Sequence, residues 1–166
     1  QLNRWEQENI LSAMRWVMRA RRSALDESTI RELHRRMFDR TWNWAGTYRH
    51  SDKNIGVDWA TVPEEVRKLV DDGAYWIGEQ VFDIDEAAIR LHHRLVYIHP
   101  FPDGNGRHAR LWCDMILVQN DRRPVQWQNQ SLGSAGAARS AYIDSLRAAD
   151  RGDFKPMREL LLAERR

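Results

Sequence analysis

Twelve residues, His99–Arg110, read HPFPDGNGRHAR. Two histidines, an acid, an asparagine, two glycines and two arginines crowd into one short stretch between two apolar helical segments. Pro100 and Pro102 stop the preceding helix near Ile98 or His99. Gly104 and Gly106 admit backbone conformations and close approaches that side chains would block. A new helix starts near Asn105–Arg107, and a helix start offers free N–H groups and a positive dipole end to an anion. Arg107 and Arg110 are three apart, so both leave the same face of the first turns. Their guanidinium forks match phosphate oxygens in pairs. Without an anion, each basic group at a helix start costs about 0.3–1 kcal/mol if exposed.

Asp103 adds a hard oxygen ligand beside this phosphate cradle, and Mg²⁺ takes one or two carboxylates along with phosphate oxygens and water. His99, four residues before Asp103, is placed to accept a proton from an incoming hydroxyl. Cradle, metal ligand and base together suggest phosphoryl or nucleotidyl transfer. A plain helix–loop–helix connector, with His99 and Asp103 capping and both arginines solvated, is the bland alternative. GNGRHA is no dinucleotide fingerprint, because it lacks the third glycine and follows a helix. No G-K-[ST] exists for a Walker A loop.

Helical periodicity supplies the elements that must hold this loop. Ile10, Leu11, Met14, Val17 and Met18 share a face over Trp5–Ala20. Ile30, Leu33, Met37 and Phe38 do so over Ser28–Phe38. A third helix opens at Thr61–Glu64, with Thr61 as cap, Pro63 in the first turn and Glu64 closing a capping box. Asp83 and Glu86 open a fourth, which runs to Ile98. Arg107–Gln119 is apolar almost all round, the mark of a central helix. Two more helices are expected at about Ala135–Ala149 and Pro156–Glu164. Between Tyr48 and Trp59, a Ser-Asp-Lys-Asn turn followed by alternating Ile55, Val57 and Trp59 reads as a small β-hairpin, which must lean on the helices.

With 166 residues, one domain with a sizeable core is expected. The charge balance of 26 basic against 24 acidic residues, +2, gives no argument for nucleic acid by itself. The single cysteine, Cys113, excludes an intrachain disulfide and reads as a buried thiol. No apolar run reaches the ~20 residues of a membrane span, and no signal peptide is visible. A cytoplasmic setting is expected. Since the sequence opens on Gln1, upstream residues stay an open matter. His92 and His93 have no zinc-ligand spacing and read as ordinary histidines. Trp42, Trp44, Trp59, Trp112 and Trp127 read as core.

At the twelve-residue stretch the chain resembles the Fic family, whose signature is H-x-F-x-[DE]-G-N-G-R-x-x-R. His99, Phe101, Asp103, Gly104, Asn105, Gly106, Arg107 and Arg110 match every specified position. WAGTYR (residues 44–49) and YIDSLRAADRGDFKP (residues 142–156) extend the resemblance over nearly the whole chain. It implies an all-α Fic fold, a compact helical bundle with a small β-hairpin flap at about 48–59. It also implies a Mg²⁺-dependent transfer of AMP from ATP to a Ser, Thr or Tyr hydroxyl of a target protein. By that resemblance His99 is the general base and Phe101 anchors the loop. Asp103 holds Mg²⁺, and Gly104, Asn105 and Gly106 form the anion hole. Arg107 and Arg110 grip the outer phosphates. Asn54, Ile55, Gly56 and Val57 form the flap edge that docks the target as an added strand. Tyr142 is a candidate for the adenine side and equally a core tyrosine. The related Doc-type kinases carry lysine at the position of Gly106, so glycine favours AMP transfer. Transfer of other phosphate-linked groups, or AMP removal, stays open. So does a different class, a phosphate-holding module for nucleic acid or protein.

Many family members carry an inhibitory helix, [ST]-x-x-x-E-[GN]. Within the first 24 residues, RWEQEN (residues 4–9) fits its E-N end but has Arg4 where Ser or Thr is expected. The resemblance makes Glu8 a candidate to reach Arg110. The C-terminal AERR, from residue 163, lacks the pattern. If Glu8 fails, a separate antitoxin-like protein is the next candidate inhibitor.

Overall fold

Among the residues it describes (2–125, 127 and 136–162), the computed structural model holds seven α-helices, one 3₁₀ turn and no strand. The helices are α1 (Leu2–Arg19), α2 (Glu27–Phe38), α3 (Val62–Gly78), α4 (Ile84–Ile98), α5 (Asn105–Gln119), α6 (Ala137–Asp150) and α7 (Lys155–Leu162). Residues 135, 163 and 164 of the expected last two helices lie outside the described residues, as do Gln1 and the AERR end. No described helix is long and apolar enough to cross a membrane.

Helix α5 is the central element, as its nearly all-apolar sequence requires. Helices α1, α2 and α4 pack around it. Leu33, Phe38, Leu91, Leu95, Phe101 and Trp112 are all fully buried. Trp112 donates its indole N–H to the Ala24 carbonyl at 2.7 Å, which ties the α1–α2 connection to α5. The Gln119 side chain accepts from the Ala24 N–H at 2.8 Å and donates to the Arg22 carbonyl at 2.6 Å, closing the other end of that connection. Cys113 is buried, and His92 and His93 are core residues.

Asp83 caps α4 as expected, accepting from the Glu86 N–H at 2.8 Å. The start of α3 differs. Thr61 makes no side-chain cap; its hydroxyl donates to the Asp58 carbonyl at 2.7 Å. Asp58 instead caps the 3₁₀ turn Trp59–Thr61 by accepting from the Ala60 N–H. A 3₁₀ turn feeding α3 directly leaves no extended cap position for the threonine. Trp59 is exposed, and Trp42 and Trp44 are half-buried partners stacked 4.6 Å apart, so the expected tryptophan core reduces to Trp112 and Trp127.

The β-hairpin flap is absent: residues 48–59 form an irregular loop ending in the 3₁₀ turn. The reason lies in the loop's carbonyl groups. The Arg49 guanidinium takes the Ser51 and Val57 carbonyls, and the Asp52 carboxylate takes the Trp59 N–H at 2.9 Å. Groups that a two-stranded ladder would pair across the turn are thereby held by side chains. The Val57 N–H reaches the Ile98 carbonyl at 3.3 Å, so the loop hangs on the end of α4.

Candidate active site

Helix α4 ends in a sharp reversal at His99, whose backbone is left-handed (φ 55°, ψ 61°). Only a few residue types take this conformation without glycine's freedom, at a cost of roughly 1–2 kcal/mol. The turn passes Phe101, which is fully buried and stacked on the His34 ring at 3.8 Å. His34 is a bridge. Its Nδ1 accepts from the Gly46 N–H at 2.9 Å, which fixes the proton on Nε2, and Nε2 then donates to the Asp103 carbonyl at 3.0 Å. Burial pushes the His34 pKa down to about 4, so the ring stays neutral and keeps its tautomer.

Asn105 closes the turn. Its side-chain oxygen accepts from the Phe101 N–H at 3.0 Å and its amide donates to the Phe101 carbonyl at 2.7 Å. The Asn105 side chain is thereby committed to the loop, which leaves only its backbone for the anion hole that the resemblance implies. Gly104 precedes α5 with φ 78°, and a Cβ there would lie 2.7 Å from the Phe38 ring. Only glycine lets the helix start this close to the core. The first helical bond runs from the His108 N–H to the Gly104 carbonyl at 3.0 Å, so the amides of Asn105, Gly106 and Arg107 precede the ladder. The first turn of α5 carries no acid.

This helix start opens on a cavity of about 610 Å³ lined by His99, Asp103, Arg107, Arg110, Tyr142 and Ile55, within the range of small-molecule sites. Burial, then the nearby Arg49 charge, holds the His99 pKa below its ordinary value, so the imidazole is neutral and able to accept a proton. Asp103 is exposed, and its carboxylate accepts from the Gly104 N–H at 2.8 Å. Among the described residues no cluster of three or more His, Cys, Asp or Glu side chains forms a metal cage. A single exposed carboxylate at the mouth of a phosphate cradle fits a Mg²⁺ that takes its other ligands from phosphate and water.

Tyr142, on α6, is buried beneath Arg110, whose guanidinium lies 5.7 Å from the ring centre. Its hydroxyl meets His92 Nε2 at 2.8 Å, and burial raises its pKa to about 12. It is a core tyrosine that also floors the cavity. Of the flap residues, Ile55 is exposed at the cavity rim, and Gly56 (φ 97°) lies so close that a Cβ would sit 2.7 Å from the His99 Cβ.

The inhibitory candidate Glu8 does not reach Arg110. It pairs with Arg4 and Arg40, each at 3.3 Å. Two positions back along α1, Glu6 pairs with Arg107. Two residues rotate a helix by about 200°, so Glu6 faces the start of α5 while Glu8 faces the end of α2. Among the described residues no carboxylate pairs with Arg110. Sequence reasoning passed over Arg49, His34 and Glu6. His34 was readable, since Ile30, His34 and Phe38 lie four apart on the α2 core stripe.

One cavity of this helical bundle thus brings together a helix start, two arginines, an acid and a neutral histidine. The chain belongs to the Fic/DOC family, whose pattern matches residues 24–117. It is 34% identical over 129 residues to the protein adenylyltransferase Fic of Nematostella vectensis, covering 75% of this chain and 29% of that protein. It resembles the solved Fic-1 (residues 134–508) of C. elegans with a TM-score of 0.74 and 26% identity, over 95% of this chain and 46% of that one. The fold also matches BepC of Bartonella tribocorum, solved with bound AMPPNP, at a TM-score of 0.73 and 17% identity over 96% and 84% of the two chains. The chain thus spans about a quarter of the length of the curated relatives it matches.

Proposed function

We propose that the chain is a protein adenylyltransferase, which moves AMP from ATP to a hydroxyl side chain of a target protein. The observation that carries this reading is the convergence of a neutral His99, the unpaired amides opening α5, and Arg107 and Arg110 on one cavity. The curated relatives named as protein adenylyltransferases support it, and so does the ATP analogue bound by the fold neighbour.

In this reading the polyphosphate lies over the start of α5, with Arg107 and Arg110 on its outer oxygens. The target hydroxyl gives its proton to His99 as its oxygen bonds the α-phosphorus. The bond from that phosphorus to the bridging oxygen breaks, and pyrophosphate leaves. Base assistance contributes about 10²–10⁴-fold, and the rest is positioning and charge stabilisation. Asp103 would hold Mg²⁺, which neutralises phosphate charge when bound. Ile55 and the flap edge Asn54–Val57 would seat the target chain, and Tyr142 would lie under the nucleotide. With Glu8 turned away, an acidic group that blocks Arg110 would come from a separate antitoxin-like protein.

The test is incubation of the pure chain with Mg²⁺ and ATP labelled at the α- or the γ-phosphate, alone and in lysate. Label retained on protein from the α-position only supports AMP transfer. Retention from the γ-position would make it a kinase. Salt-sensitive nucleic-acid binding with no incorporation would move it to the binding-module class.

A further inference from the structure

Arg49 lies outside the twelve-residue stretch, yet it is 2% exposed and ranks among the largest fully enclosed side chains of the core. A guanidinium so enclosed requires partners on nearly every N–H. Here they are backbone carbonyls. Nε donates to the His99 carbonyl at 2.6 Å and Nη1 to the Ser51 carbonyl at 3.0 Å. Nη2 donates to Ile98 at 3.2 Å and also to Val57. The Arg49 N–H adds a bond to the Pro100 carbonyl at 3.0 Å. Asp52, the nearest carboxylate, stands 3.7 Å away and mostly in solvent.

These bonds join three pieces that the sequence keeps apart: the last carbonyl of α4, the left-handed turn at His99 and the flap loop. The Ile98 carbonyl is one that the helix end cannot satisfy by itself. The His99 carbonyl belongs to one of the few non-glycine residues held at positive φ among the described residues. Gly56 completes the joint, since a Cβ there would lie 2.7 Å from His99 Cβ and 2.9 Å from Arg49 Nη2.

We propose that Arg49 is a positioning residue for the transfer reaction: its guanidinium holds the His99 turn in register and docks the flap against it as one unit. The proposal rests on His99 as the proton acceptor described above. It predicts a particular division of labour. The groups proposed to hold ATP sit on α5, its preceding loop and, with Tyr142, α6, none of them bonded to Arg49, so ATP binding survives its loss. The rate of transfer does not, because a base displaced by a fraction of an ångström no longer meets the hydroxyl.

Arg49→Lys keeps the charge and removes the planar fork, and Arg49→Met removes both. Gly56→Ala opens the same joint from the exposed flap, where folding of the core is not at stake. In each variant, kcat for AMP incorporation from α-labelled ATP falls roughly 10- to 100-fold while the ATP Kd, read by calorimetry, stays within about twofold. The groups facing His99 are Arg49 and Lys53 from the flap and Asp103 from the loop. Loss of the Arg49 charge alone therefore moves the acid limb of the kcat/KM profile to higher pH in Arg49→Met and leaves it in place in Arg49→Lys. Wild-type kcat in folded Arg49→Lys or in Gly56→Ala overturns the proposal, as does a loss that resides in ATP Kd. His99→Ala separates this from the parent reading: full activity there removes the role of His99 itself, whereas an inactive His99→Ala beside an active Arg49→Lys removes only that of Arg49.

Discussion

The Glu6 carboxylate on α1 holds the Arg107 guanidinium at the first turn of α5. The pair joins the first helix of the chain to the end of the cavity where the phosphates are proposed to lie, and Arg107 also lies 4.9 Å over the Phe38 ring. An incoming polyphosphate must compete with Glu6 for this fork. Removing the carboxylate frees a cation at a positive helix end, where only an anion is favourable. Glu6→Ala therefore tightens ATP binding by about two- to fivefold, the scale of a partly exposed ion pair. Glu8→Ala, which breaks pairs to Arg4 and Arg40 only, leaves it unchanged. Calorimetric titration of both variants with ATP decides the matter, and equal affinities for Glu6→Ala and the parent chain would refute it.

The reciprocal bonds between Asn105 and Phe101 are the clasp of the His99–Arg110 turn. Asn105→Ala strands a buried N–H and a buried carbonyl together, which costs roughly 2–4 kcal/mol. Asn105→Asp keeps an acceptor for the Phe101 N–H but turns an oxygen toward the Phe101 carbonyl, so it is no milder. Urea unfolding of the two variants checks this. A clasp of little worth would show as midpoints close to that of the parent chain.

Tyr142 and His92 form a second buried polar contact beneath the cavity, at 2.8 Å. The tyrosine hydroxyl is the side-chain partner of His92 Nε2. Tyr142→Phe leaves a buried imidazole nitrogen without one, at a cost of about 1–3 kcal/mol. The ring itself remains under Arg110, so the effect falls on thermal stability rather than on the ATP Kd. A large change in Kd with an unaltered melting temperature would assign the hydroxyl to the nucleotide instead.

The twelve-residue loop and the helices around it were legible because their signals are local. Proline stops, glycine freedom, an Asp83 cap and the apolar stripe of α5 act over a few residues, and the fold repeats them. Arg49, Glu6 and the missing hairpin were not legible. Arg49 and Glu6 act across 50 and 101 residues of chain, on His99 and Arg107, and the hairpin is lost to side-chain bonds within the loop itself. The alternation of Ile55, Val57 and Trp59 satisfies strand period, but period says nothing of a guanidinium that removes the carbonyls. The left-handed backbone of His99 is of the same kind, since no residue type near it announces it.

Three buried histidines make the fold sensitive to acid. Burial depresses the pKa of His34 to about 4 and those of His92 and His108 to about 3, from an ordinary 6.5. Between those values the unfolded chain binds protons that the folded chain refuses. Their contribution is thus complete above pH 6.5 and declines as pH falls toward 4, by up to about 1.4 kcal/mol per pH unit for each histidine. His34 adds a specific cause, because protonation destroys the Nδ1 acceptor that receives the Gly46 N–H. Urea unfolding between pH 7 and 4.5 should show free energy falling on the acid side, with close to one fewer proton taken up in His34→Gln. A flat profile over that interval would mean that the histidines titrate alike in both states, and that the tautomer bridge from Gly46 to Asp103 is not what holds the loop.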